Sequence, residues 1–146
     1  MTTIKIEETF NDHLKKHLLF AVNYFQSQED IKLIATIADR NEEWLKKNAN
    51  DYKGHNIYAY YIKIGSFWEL FYLGQTHSKY SIQRMRQHLI KASKTTSSKL
   101  KDFKNIDELG FKSITIDPQE LRHYFETMLI QELRKNHKYL SNNLLK

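Results

Sequence analysis

Apolar residues recur every three or four positions between Thr9 and Phe25, at Phe10, Leu14, Leu18, Val22 and Phe25, and so line one face of a helix. Ser27 followed by Asp30 resembles a capping box with the shorter acid, and Ile31, Ile34, Ile37 and Ala38 continue as a second stripe toward Trp44 and Leu45. The pattern predicts two helices over residues 9 to 48. The polar stretch Asn48-Ala49-Asn50-Asp51 ends it, and Gly54 sits just before a change of period. Beyond Gly54, Ile57 to Ile64 and Trp68 to Leu73 are rich in β-branched and aromatic residues around Gly65-Ser66, which predicts a two-stranded hairpin. Ser78 to Ser93 returns to helical spacing, with Ile82, Met85, Leu89 and Ala92 on one face. Lys94 to Ser98 reads as a polar loop, followed by a short helix to Phe103. Phe111 to Ile116 alternates as a third strand, and Pro118 suits the first turn of a helix capped by Asp117 and running to about Lys135. Asn136 to Lys146 is expected to be extended or irregular.

This order predicts an α+β fold: a small mixed or antiparallel three-stranded sheet flanked by helices, preceded by two N-terminal helices. The boundary between a helical N-terminal extension, 1–53, and the domain formed by 54–146 is expected at about residue 53. With 146 residues the chain is long enough for one core and hardly for two. It has neither a long apolar run nor the basic-then-apolar start of a signal peptide, so a cytoplasmic protein with no membrane partner is expected. The absence of cysteine removes disulfides, thiolate zinc sites and cysteine nucleophiles together, leaving any metal to oxygen or imidazole ligands. His13 and His17 have the spacing of a helical zinc pair, but Leu14 stands where a zinc protease needs Glu, and the pair reads as solvated. A net charge of +6 favours phosphate-bearing partners. The excess is concentrated between Lys79 and Lys104, where Asp102 is the single acidic residue.

Candidate chemistry lies in four places. Asn56-Ile57-Tyr58 occupies one predicted strand and Tyr72-Leu73-Gly74 the next, with Gln75-Thr76 leading into the following helix. Arg84 and His88 are four residues apart on one face of that helix, and an arginine there can grip two phosphate oxygens at once. Glu126 opens the apolar run Met128-Leu129-Ile130, close to the buried side of its helix, where a carboxylate needs a partner or a cation. Asn142 and Asn143 follow Leu140 near the end of the chain.

Taken in this order, "NIY…YLGQT", Arg84 with His88, Glu126 and the terminal asparagines resemble the GIY-YIG nucleases over about residues 56 to 143. Asn56 stands in place of the first glycine and Leu73 in place of isoleucine. Thirteen residues separate Tyr58 from Tyr72, slightly more than is usual in that family, which a longer turn around Gly65 would accommodate. The resemblance implies a Mg²⁺- or Mn²⁺-dependent endonuclease that hydrolyses phosphodiester bonds in DNA, of the restriction or mobile-element type. Its implied catalytic set is Tyr58, Tyr72, Arg84, His88, Glu126 and Asn142 or Asn143, with Asn142 preferred. Glu126 would hold a single metal ion, Arg84 would clamp the scissile phosphate, and Tyr58, Tyr72 or His88 would handle the attacking water. Arg84, Arg86, Tyr80, Lys91 and Lys94 are the expected nucleic-acid contacts, with RNA the other polymer such a surface would take. High sequence specificity would call for a homodimer, since two half-sites double the readable edge. The alternative is a non-catalytic nucleic-acid-binding module on the same fold, and a third reading is a helical interaction protein whose tyrosines serve only the core.

Overall fold

The computed structural model describes residues 2–5, 11–90, 106–137 and 140. In chain order the elements are β1 (Thr2–Lys5), α1 (Asn11–Gln26), β2 (Lys32–Thr36), α2 (Glu42–Asn48), β3 (Ile57–Ile64), β4 (Phe67–Gln75), α3 (Ser81–Leu89), β5 (Glu108–Asp117) and α4 (Arg122–Leu133). Short 3-10 turns precede α3 at Ser78–Tyr80 and α4 at Gln119–Leu121. The fold is α+β around a mixed, five-stranded sheet. No helix among the described residues is long and apolar enough to cross a membrane.

The hairpin β3–β4 and the pairing of β3 with β5 form the antiparallel centre of the sheet. Alternation along the strands then sorts the core into two layers. Ile57, Ala59 and Tyr61 of β3, with Ile114 and Ile116 of β5, face α1 and α4. Tyr58 and Tyr60, with Leu109 and Phe111, face Leu45 of α2 and Met85 and Leu89 of α3. The α1 stripe is as the spacing predicts: Leu18, Val22 and Phe25 are buried against this first layer.

Three expectations are corrected. The segment from Ile31 to Thr36 is not helical: β2 pairs antiparallel with β5 from Lys32 to Thr36, a single 3-10 turn follows at Ile37–Asp39, and the α-helix begins only at Glu42. Of the isoleucines spaced three apart only Ile34 lies in β2, where it is buried; Ile31 packs on the other layer and Ile37 is exposed, so the spacing is not a stripe on one face. The sheet has five strands rather than three, because β1 pairs in parallel with β5 and β2 joins the same strand. Asp117 is the last residue of β5 rather than a helix cap, and its bond to Pro118 is cis. The loop at Lys94–Ser98, the short helix expected near Phe103 and most of the C-terminal tail lie outside the described residues.

The extra length between Tyr58 and Tyr72 is also spent differently. Ile64 pairs with Phe67, so the turn is only Gly65-Ser66, with Gly65 at φ 64°, a left-handed conformation that suits glycine. The additional residues lengthen the strands and supply one bulge, between Tyr60 and Tyr61 in the register.

Asn56 joins the end of β5 to the start of β3. Its carboxamide donates to Ile116 O at 2.8 Å and accepts from Ile116 N–H at 2.7 Å, while its own backbone N–H donates to Ile114 O and its carbonyl accepts from Thr76 N–H. A fully buried side chain thus behaves as one more backbone unit of the ladder. Replacing it strands two buried backbone groups, so Asn56→Ala is expected to lower unfolding free energy by roughly 2–4 kcal/mol. Urea denaturation checks this; a loss below about 0.5 kcal/mol would mean the clamp contributes nothing net.

Candidate functional site

The bulge in the β3–β4 ladder decides which side chains meet. Leu70 and Leu73 point toward α1 and α4, whereas Phe71 and Tyr72, consecutive in sequence, both pack with the α2–α3 layer. A regular strand would send one of them through the sheet. Tyr72 therefore stands opposite Tyr60 and beside Tyr58, its ring 6.4 Å from that of Tyr58 and within 18° of parallel.

Tyr58 lies opposite Gly74 in the register, and its side chain crosses the glycine. A Cβ at position 74 would sit 2.7 Å from the Tyr58 hydroxyl oxygen and 2.8 Å from Cζ, closer than real contacts allow. The glycine of the Tyr72-Leu73-Gly74 motif is thus required by the tyrosine of the partner strand.

His88 fills the space beneath these rings. It is 1% exposed and its ring centroid is 5.1 Å from Tyr60, 5.1 Å from Tyr72 and 5.5 Å from Tyr58. Burial, reinforced by the Arg84 charge, pushes its pKa down to about 3, so it is a neutral imidazole in ordinary buffers. Arg84, one turn earlier, is on the exposed side of α3, where it donates to Gln87 Oε1 at 3.0 Å. With Tyr80, Gln83 and Gln87 it lines an open groove of about 320 Å³.

Glu126 is in the second turn of α4, half-buried and flanked by the core residues Phe125, Leu129 and Ile130. Both phenols feel the charges of Arg84 and Glu126. Burial pushes the Tyr58 hydroxyl well above its usual range, Tyr72, Tyr60 and Glu126 push the same way, and Arg84 pulls it back. Tyr72 is raised by burial and by Glu126 and lowered by Arg84. Tyr58, Tyr72, Arg84 and Glu126, carried by four different elements, therefore share one electrostatic neighbourhood.

The connections that fix this neighbourhood carry no signal in a motif search. Arg122 Nε donates to Gln75 Oε1 at 2.8 Å and Arg122 Nη1 to Gln119 O at 3.0 Å, while Ser78 N–H donates to Gln119 Oε1 at 2.6 Å. These bonds tie the segment between β4 and α3 to the start of α4, and hence Arg84 to Glu126. Ser81 Oγ accepts from Gly54 N–H at 2.9 Å and anchors the start of α3. Only the side-chain amides at Gln75 and Gln119 and the base at Arg122 could have hinted at such pairing.

Of the expected nucleic-acid contacts, Tyr80 is 48% exposed, with Lys79 Nζ 5.1 Å from its ring centroid. Arg86 is engaged by Glu42, its Nε 2.9 Å from both carboxylate oxygens, an ion pair that joins α3 to α2. Lys91, Lys94, Asn142 and Asn143 lie outside the described residues. Glu132, a competing carboxylate on α4, pairs with Lys135 at 3.2 Å. No group of three His, Asp or Glu at metal-ligand spacing occurs among the described residues. Glu126, the carboxylate whose charge reaches both phenols, offers a hard oxygen donor that suits a Mg²⁺-class ion completing its shell with water.

Comparison of the chain with family models, with curated proteins and with solved structures finds no match.

Two expectations follow from the packing. Gly74→Ala forces Tyr58 off its seat and is expected to cost about 1–3 kcal/mol of stability, and Tyr58→Phe, which removes the nearest atom, is expected to recover part of it in a double-mutant cycle. Independent, additive losses would contradict the crossing. For His88, the folded-state pKa of about 3 lies below the ordinary 6.5, so the unfolded chain binds the extra proton first. Its contribution is fully present above pH 6.5 and is lost as pH falls from 6.5 toward 3. In NMR spectra the His88 imidazole is expected not to titrate between pH 5 and 8; a midpoint inside that window would mean the ring is not sealed as described.

Proposed function

We propose that this chain is a metal-dependent endonuclease of the GIY-YIG type that hydrolyses phosphodiester bonds in DNA. The observation that carries the proposal is the cluster of Tyr58, Tyr72 and His88 around the Tyr58–Gly74 crossing, with Tyr58 and Arg84 lining one cleft and Glu126 close enough for both phenols to feel its charge. The composition supports it as well, since a chain of net charge +6 attracts a polyanion.

Each member has a distinct task. The exposed Arg84 guanidinium clamps two oxygens of the scissile phosphate and stabilises the charge that accumulates there during attack. Glu126 would hold a Mg²⁺ or Mn²⁺ ion through its carboxylate, and that ion supplies charge neutralisation at the phosphate and at the departing 3′ oxygen. Burial keeps both phenols above their usual range, with Arg84 opposing it. Tyr58, the more deeply buried phenol, keeps its proton and orients the attacking water or a phosphate oxygen by donating to it. Tyr72, also raised above its usual range and so protonated, accepts a hydrogen bond from the attacking water and orients it, and the water's proton passes to solvent. His88 is a positioning residue: a sealed imidazole of pKa about 3 makes a weak base, but it sets the spacing of the three tyrosine rings.

The test is incubation with supercoiled plasmid and with a short RNA, in Mg²⁺, Mn²⁺ or EDTA. Metal-dependent cutting of the plasmid is expected. Arg84→Ala and Glu126→Gln are each expected to slow it by about 10²-fold or more while leaving the thermal midpoint within a few degrees. Cutting confined to the RNA would change the substrate. DNA retained on a gel equally in EDTA and with Glu126→Gln, and never cut, would replace the nuclease with a non-catalytic binding module on the same fold.

A further inference from the structure

The outer edge of β5 is covered by two strands that do not meet. β2 pairs with it from Glu108 to Phe111, and β1 pairs with it from Ile114 to Asp117. Lys112 and Ser113 fall between the two registers, leaving a window in the edge of the sheet. A cavity of about 250 Å³ opens there. Because Lys112 and Ser113 are neighbours on a strand, their side chains leave on opposite faces, and the cavity reaches both.

The polar groups around this window are built into the fold. Lys112 is 2% exposed, and its Nζ donates to Tyr24 O at 2.6 Å and Ser27 O at 2.9 Å, at the C-terminal end of α1 where a cation is favoured. The ammonium also lies 4.7 Å from the Tyr24 ring centroid. A lysine head has three donors, so one remains beyond those two bonds. On the other face the buried Ser113 hydroxyl and His55 Nδ1 are hydrogen-bonded to each other. Burial lowers the His55 pKa, so the imidazole is neutral, while the Lys112 pKa, lowered to about 8, still leaves a cation at neutral pH. Lys32 adds a second positive charge at the rim, with Asp30 also on the lining and the Glu29 carboxylate close enough for Lys112 to feel its charge. Capping α1 accounts for Lys112 being buried, but not for the hollow beside it or for Lys32 at its mouth.

We propose that this window is a binding site for a small oxyanion-bearing ligand, a phosphorylated or carboxylated metabolite whose anionic group sits between Lys112 and Lys32. A buried cation and a rim cation line the same hollow, and such a pairing of positive charge with a cavity favours a small anion. The site is independent of the nuclease reading. It nevertheless shares a wall with the Tyr58–Arg84 face, since Tyr52, His55 and Phe111 line both this cavity and the narrow cleft against Tyr58 and Arg84.

The experiment is NMR titration of the ¹⁵N-labelled full chain with inorganic phosphate, ribose 5-phosphate and acetate, against sodium chloride at matched ionic strength. Saturable shifts centred on Lys112, Ser113 and His55 are expected, with a Kd of roughly millimolar or tighter. The preference between the phosphates and acetate identifies which oxyanion the site takes. Lys32→Gln, at an exposed position, is expected to raise Kd by about fivefold or more, and Lys112→Met to abolish binding. Should Lys112→Met fail to fold, Lys32→Gln decides. Linear shifts that chloride reproduces, or saturable binding that Lys32→Gln leaves unchanged, would overturn the proposal.

Discussion

Tyr58 can lie across β4 only because position 74 has no side chain, and the arrangement of the α2–α3 face follows from that crossing. With Tyr58 laid over Gly74, its hydroxyl reaches the region where the charges of Arg84 and Glu126 are felt. Tyr72, turned onto the same face by the bulge, stacks beside it, and His88 fills the hollow under the rings. A methyl group at residue 74 would displace the tyrosine and with it this whole set of spacings. The constraint is steric and local, yet it joins two strands, two helices and the chemistry proposed for them.

Hydrogen bonds add to the aromatic packing that holds the crossing in place. Asn56 extends the β3–β5 ladder with its side chain, and Gln75, Gln119 and Arg122 link the segment after β4 to the start of α4. Such bonds are each modest, but they cannot be lost without leaving buried donors and acceptors unmet. They explain how a half-buried carboxylate on α4 and an exposed guanidinium on α3 keep a fixed relation although they belong to different layers. Arg86, by contrast, is committed to Glu42 and serves the packing of α3 on α2.

Much of this was legible in the sequence. The aromatic and β-branched runs around Gly65-Ser66 mark the hairpin, and Ile57–Ile64 is the strand they predict. The spacing of Arg84 and His88 indicates one side of α3, although His88 turns into the core while Arg84 points out, because four residues advance a helix by slightly more than a full turn and the buried edge of α3 falls between them. The N-terminal part was read less well. Isoleucines three apart suggest a helix stripe, yet only Ile34 lies in β2, and the pairing of that strand with β5 overrides the local spacing. Pairing partners remote in sequence also hid β1. The bulge that places Phe71 and Tyr72 on one face, and Asn56 as a ladder unit, are products of register, which no local pattern encodes.

The central claim is that the Tyr58, Tyr72, Arg84 and Glu126 neighbourhood binds a divalent cation for phosphodiester chemistry. Paramagnetic broadening measures this without relying on turnover: Mn²⁺ is added in substoichiometric amounts to ¹⁵N-labelled protein bound to a short DNA duplex. The account predicts that amide signals vanish first around Glu126, Tyr58 and Gly74, and that Glu126→Gln removes the effect. Broadening centred on another carboxylate, or the same pattern with Glu126→Gln, would contradict it.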